Sequence, residues 1–244
     1  MIVRKPIKTV LAAFVAAGLC LPSVTLAMDD ENVPSSATCE EILKSPDQSE
    51  IPRAEPVAIP GEYRDIASST ISTMKINMLS GGVTCFDVRD WSVVEQFWIS
   101  GDGRFFGFHT FGLEADGHYV IDRIAPDIIL ETGLRPVFSD DATMFAAAQR
   151  TGAGWGNLEG LGVWRVGPDG TESVYKFNNG LLDGLDWRVD SWIGNDEVRL
   201  STVHEFALGE DGDSFEEILA QSKRYDYRLI ERGADWELED IDEP

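Results

Sequence analysis

Trp98-Ile-Ser-Gly-Asp-Gly-Arg-Phe-Phe-Gly-Phe108 is the stretch that decides how the chain reads. Apolar residues flank Ser100-Gly-Asp-Gly103, where Gly accepts left-handed backbone and Asp bonds its own main chain. The pattern predicts a hairpin: a strand over Phe97–Ile99, a tight turn, then a strand over Arg104–Phe111. Working outward, Ala115-Asp-Gly117 marks the next turn and His118–Arg123 the next strand. Asp169-Gly170 reads as another hairpin turn. On the N-terminal side, Ile71–Met78 alternates as a half-buried strand does, and Val83–Val88 predicts one more. Little of residues 63–244 has a period near 3.6. The best helix candidate is Ser214–Ser222, capped by Ser214 or Asp213, with Phe215, Ile218 and Leu219 on one face; part of a long acidic loop is the equal alternative. Residues 63–244 are therefore expected to form a single all-β, antiparallel domain.

The deciding stretch recurs. Val137-Phe-Ser-Asp-Asp-Ala-Thr-Met-Phe-Ala-Ala147 repeats its pattern, with Ser139 lying 39 residues after Ser100. Trp192-Ile-Gly-Asn-Asp-Glu-Val-Arg-Leu-Ser201 is a weaker third copy, and further hairpins such as Gly162–Tyr175 follow. These segments resemble the blade units of TolB-type and WD40-type β-propellers, which carry a Phe-Ser-x-Asp-Gly turn. The resemblance covers about three units within residues 90–240, fewer than the ~4–8 blades of closed propellers. It implies a small or incomplete propeller-like stack of antiparallel sheets or a curved β-meander, with a closed propeller that has one irregular blade from residues 63–96 as the alternative. The chain departs from the pattern at Ala142, where Gly is usual, and in the third copy, which lacks the serine.

The N-terminus has a different character. Arg4, Lys5 and Lys8 precede an apolar run from Val10 to Leu21, and Thr25-Leu-Ala27 offers small residues at a cleavage position. Residues 1–27 thus read as a cleaved signal peptide, and the expected location is periplasmic or secreted. Leu19 before Cys20 disfavours a lipoprotein site. The whole chain carries 20 basic and 43 acidic residues. Loss of the three bases and no acids of residues 1–27 leaves 17 against 43, a net charge of −26. Such a chain repels nucleic acid and anionic membranes, so neither is an expected partner, and a basic protein is. Asp235, Glu237, Glu239, Asp240, Asp242 and Glu243 concentrate acid in a C-terminal tail.

Two cysteines remain after residue 27, Cys39 and Cys85, and an oxidising compartment predicts a disulfide between them. Residues 28–62 are proline-rich and read as an exposed lead-in containing one short helix near Ser36–Lys44, pinned to the domain through Cys39.

Chemistry-bearing patterns are sparse. His109, His118 and His204 show no HExxH or His-x-His spacing and are read as partly buried strand residues with one hydrogen bond each. Asp211-Gly-Asp213 with Glu216 and Glu217 does not meet the spacing of a calcium loop. No Gly-x-Ser-x-Gly elbow occurs. No metal and no cofactor is expected. The Gly-rich run Thr151–Asn157 presents Trp155 either on a surface loop or folded back onto a sheet. The expected function is binding of a basic exported protein, as an inhibitor or immunity-type protein would bind it. The contacts would be Trp155, Asn157 and Glu159 with the acidic loop Glu210, Asp211 and Asp213. A hydrolase with carboxylates assembled only in the fold, and a structural envelope component, are the alternatives.

Overall fold

The computed structural model describes residues 39–44, 53–112, 116–125, 128–149, 156–178, 184–207 and 214–241. These residues form four antiparallel sheets in chain order. Sheet 1 holds β1 (Ala67–Ser69), β2 (Thr73–Asn77) and β3 (Val83–Asp87). Sheet 2 holds β4 (Trp91–Ile99), β5 (Phe105–Gly112), β6 (Asp116–Asp122) and β7 (Ile129–Gly133). Sheet 3 holds β8 (Val137–Phe138), β9 (Met144–Gln149), β10 (Gly160–Gly167) and β11 (Gly170–Asn178). Sheet 4 holds β12 (Leu185–Ile193), β13 (Glu197–Val203), β14 (Arg224–Arg232) and β15 (Asp235–Asp240). Each sheet is a meander whose strands pair with their neighbours in sequence. Part of the acidic C-terminal segment is therefore an edge strand, β15, paired with β14.

Alternation along the strands sorts side chains into three cores. Phe106, Phe108, Tyr119 and Ile121 of sheet 2 pack with Met74, Ile76 and Phe86 of sheet 1. Phe105 and Val120, one residue out of phase, point the other way and meet Phe145, Ala147 and Trp164 of sheet 3. Met144, Ala146 and Ala148 of β9 face Trp187, Val198 and Leu200 of sheet 4. Sheets 2 and 3 are thus buried on both faces, so Phe105-Phe106 and Met144–Ala148 read as unbroken apolar runs instead of alternating ones. Phe106, Phe108 and Phe145 are fully buried, and truncating such a side chain typically costs about 3–5 kcal/mol. No hydrophobic cluster among the described residues joins sheet 4 to sheet 1.

One close approach explains a glycine inside the deciding stretch. Gly107 pairs with Trp98 across β4 and β5, and a Cβ there would stand 2.3 Å from the indole. The ring lies over bare backbone, which only Gly allows.

The disulfide between Cys39 and Cys85 ties the short helix α1 (Cys39–Lys44) to β3. It closes a loop of sequence separation 46, a constraint of about 4 kcal/mol in the chain-entropy model. Within the segment expected to be an exposed lead-in, Val57 is buried in the first core and the Arg53 guanidinium donates to the Trp91 carbonyl. A second helix, α2 (Phe215–Gln221), begins where the sequence indicates. Ser214 Oγ accepts from Glu217 N, and the Glu217 carboxylate accepts in return from Ser214 N at 2.7 Å. No described helix is long and apolar enough to cross a membrane.

Candidate functional site

The repeated turns occupy equivalent places, between the first and second strands of sheets 2, 3 and 4. The first two match bond for bond. Ser100 Oγ donates to Asp102 Oδ1 at 2.6 Å and accepts from Phe105 N, while Arg104 N donates to Asp102 Oδ1. Ser139 Oγ donates to Asp141 Oδ1 at 2.9 Å and accepts from Met144 N, while Thr143 N donates to Asp141 Oδ1. Gly103 takes φ +76° and its counterpart Ala142 takes φ +56°, so the departure from glycine is absorbed by a residue in left-handed backbone. The Ser100 hydroxyl and the Arg104 amide hold the Asp102 carboxyl below its ordinary pKa. At Asp141 the donors are first Asn195 and then the Thr143 amide and hydroxyl, and the carboxyl is lowered further. Asn195 belongs to the third turn, and its Nδ2 donates to Asp141 Oδ2 at 2.7 Å, which links the turns of sheets 3 and 4.

A groove of about 720 Å³ opens between the first two turns, walled by Trp98, Phe105, Phe138, Arg104 and Arg135. Arg104 is not available to a ligand. Its fork holds Asp122, with Nε–Oδ1 2.9 Å and Nη2–Oδ2 2.6 Å, and it also donates to the Gly167 carbonyl. Asp122 is fully buried and accepts in addition from Thr171 Oγ1 at 2.8 Å, so this network fastens sheet 2 to sheet 3.

The other end of β6 is different. His109 on β5 and His118 on β6 stand directly opposite each other, with ring centroids 5.2 Å apart. His109 Nε2 bonds Asp116 Oδ1 at 2.9 Å. His118 is 2 % exposed, and among the described residues neither ring nitrogen has a hydrogen-bond partner. Burial, then the charges of His109 and Arg135, push its pKa down to about 4, so the ring is neutral near pH 7. Both histidines line a cleft of about 350 Å³ completed by Gln96, Leu134, Arg135 and Arg188, with Ala148 and Val189 adding apolar wall. Arg135 extends its guanidinium over the Trp98 ring at 5.0 Å and borders both openings.

The histidine expectation holds for His109; His204 is half-buried with one bond, its Nε2 3.1 Å from Tyr227 Oη, but it lies just past the end of β13 and not in a strand. His118 departs from the expectation, being buried without a hydrogen bond at either nitrogen among the described residues. Among the described residues no group of three or more His, Cys, Asp or Glu is arranged to hold a metal.

Asn157 sits between sheets 2 and 3. Its Nδ2 donates to the His118 carbonyl at 3.0 Å and its Oδ1 accepts from Gly133 N at 2.8 Å. Glu159 Oε1 accepts from Gly156 N at 2.6 Å, closing the loop in front of β10. Trp155, Glu210, Asp211 and Asp213 lie outside the described residues. Sequence reasoning passed over Arg135 and Arg188. They come from the link between sheets 2 and 3 and from β12, and no local pattern couples them to the histidines. No family model matches the chain, and neither a curated protein nor a solved structure matches it.

Proposed function

We propose that residues 1–27 direct export and that the remainder is a periplasmic or secreted protein that works by binding a basic protein partner, as an inhibitor or immunity-type protein does. The observation that supports this reading is where the charges stand. Arginines are engaged in ion pairs within the chain: Arg89 with Asp87, Arg104 with Asp122, Arg199 with Glu197, Arg224 with Asp186, Arg228 with Glu239. Each such pair neutralises itself and leaves the acidic excess to the surface, where Asp65, Asp90, Asp140, Asp169 and Asp235 stand exposed. A net charge of −26 after residue 27 far exceeds the magnitude of about 2–8 that keeps a small domain soluble. The field of such a surface speeds encounter with a cationic protein and repels polyanions.

The four meanders, with turns matched bond for bond in sheets 2 and 3, support the finer reading of an incomplete propeller-like stack. In that arrangement the repeated turns share one end, as loops do on a rigid scaffold built for binding.

The test is a pull-down from periplasmic extract at low salt, followed by kinetics on the captured partner. Association should slow as salt rises and in Asp211→Asn with Asp213→Asn. Trp155→Ala should raise the dissociation rate, by about 2 kcal/mol in affinity for an anchor residue. Recovery of no specific partner, or binding indifferent to salt, overturns the reading.

A further inference from the structure

We propose that the cleft at His118, Arg135 and Arg188 is a binding site for a carboxylate carried on a short apolar body. The lining inverts the charge of the molecule around it. Two arginines, two histidines and a glutamine line the cleft, and among the described residues no carboxylate does, in a chain with 43 acids. Arg135 makes no ion pair among the described residues; its guanidinium carbon lies 5.0 Å from the centre of the Trp98 ring, and the side chain lines the cleft. A planar fork of this kind matches the two oxygens of a carboxylate. Arg188 stands on the facing strand β12, oriented by Asp186 at 2.9 Å.

His118 is the second observation. A buried polar group without a partner is rare and costly, and it marks a place where a ligand group belongs. The neutral imidazole offers one N–H donor and one acceptor. Gln96 adds an amide beside it, at a position where β4 bulges and takes φ +52°. Donors from β4, β6, β12 and the inter-sheet link therefore converge on one small space.

The apolar part of the lining selects the rest of the ligand. Leu134, Ala148 and Val189 form a wall that a bare phosphate or sulfate would not use. About 350 Å³ is at the small end of ligand pockets and suits one amino-acid-sized acid. The acid has two possible sources, a free organic acid or the C-terminal carboxylate of a peptide. The cleft would act whether or not the acidic surface engages a protein, so neither result depends on the pull-down.

Isothermal titration of the full chain with 4-methylpentanoate, N-acetyl-leucine, N-acetyl-leucinamide and inorganic phosphate tests this. Either carboxylate should bind in the millimolar range or tighter. Preference for 4-methylpentanoate assigns a free acid, and preference for N-acetyl-leucine assigns a peptide end. The amide and phosphate should bind at least about tenfold more weakly. Arg135→Gln is a surface change that leaves the fold intact by circular dichroism, and it should weaken carboxylate binding about tenfold or more. Arg135→Lys, which keeps the charge and loses the fork, should fall between. No binding of either acid, equal binding of the amide or of phosphate, or indifference to Arg135→Gln overturns the proposal.

Discussion

Asp122 and His118 lie on the same strand, four residues apart, and both are buried to 2 % exposure or less. Their surroundings are opposite. Asp122 accepts from both arms of Arg104, from the Thr171 hydroxyl and from Ile124 N. His118 has no hydrogen bond at either ring nitrogen among the described residues. A buried polar group that is fully satisfied rigidifies a fold, and one left unsatisfied destabilises it. The first residue accordingly reads as architecture, the joint between sheets 2 and 3. The second reads as a group whose chemistry is directed outward into a cleft, at a cost to stability. Sequence position does not separate the two; partner count does.

The largest expected effect breaks the satisfied end. Arg104→Met should remove the guanidinium, with its contact over the Phe105 ring, and leave Asp122 with a buried charge that has lost its ion-pair partner. Removing one partner of a buried pair costs about 3–5 kcal/mol, read as a fall in the urea midpoint. A loss under about 1 kcal/mol would show that water reaches Asp122, and the contrast with His118 would dissolve.

The unsatisfied end should announce itself through pH. His118 protonates in the unfolded chain near its ordinary value of 6.5 and in the folded chain only near about 4. The unfolded state therefore binds the extra proton between those values. Stability is intact above pH 6.5, falls by about 3 kcal/mol as pH drops toward 4, and levels off below. Urea midpoints measured across that range check the sign, because stability that rises on acidification would contradict it.

A smaller effect concerns the turns, which lie at the satisfied end. Ala142 holds left-handed backbone where its counterpart Gly103 needs no side chain to do so. Ala142→Gly should relieve that strain, offset by the greater freedom of Gly in the unfolded chain, for a net gain of about 0.5 kcal/mol. Gly103→Ala should lose about 1 kcal/mol, since the backbone there has φ +76°. Thermal midpoints of the two single variants should move in opposite directions.

What was legible in the sequence is what is local. The Ser100–Gly103 turn, the repeat at Ser139 and the Ser214 cap of α2 are written within a few residues, because turn and cap chemistry is a short-range hydrogen-bond problem. Asp116-Gly117 shows the limit of that reasoning. The pair has turn composition, yet it pairs with Phe111 and Thr110 inside the β5–β6 ladder. The two-sided burial of sheets 2 and 3 was hidden for another reason. An unbroken run such as Phe105-Phe106 does not reveal which residue faces which neighbour until the sheets stack. The cleft was the least legible. His109 and His118 flank a hairpin and are visible as a pair, but Arg135 and Arg188 reach them only through sheet packing.

His118→Phe replaces an unsatisfied imidazole by an apolar ring of similar shape, beside a cleft that gives the larger ring room. Replacing a buried polar group that has no partner removes its desolvation penalty and loses no protein hydrogen bond. The variant should be within about 1 kcal/mol of the parent at neutral pH, on the stabilising side, whereas Arg104→Met is strongly destabilising. It should also lose the fall in stability between pH 6.5 and about 4, because the group that titrates there is gone. A variant that is more stable, flat with pH and unable to bind N-acetyl-leucine would assign the histidine to the cleft. A variant destabilised as much as Arg104→Met would make His118 a structural residue, and the two ends of β6 would then differ only in how their bonds are made.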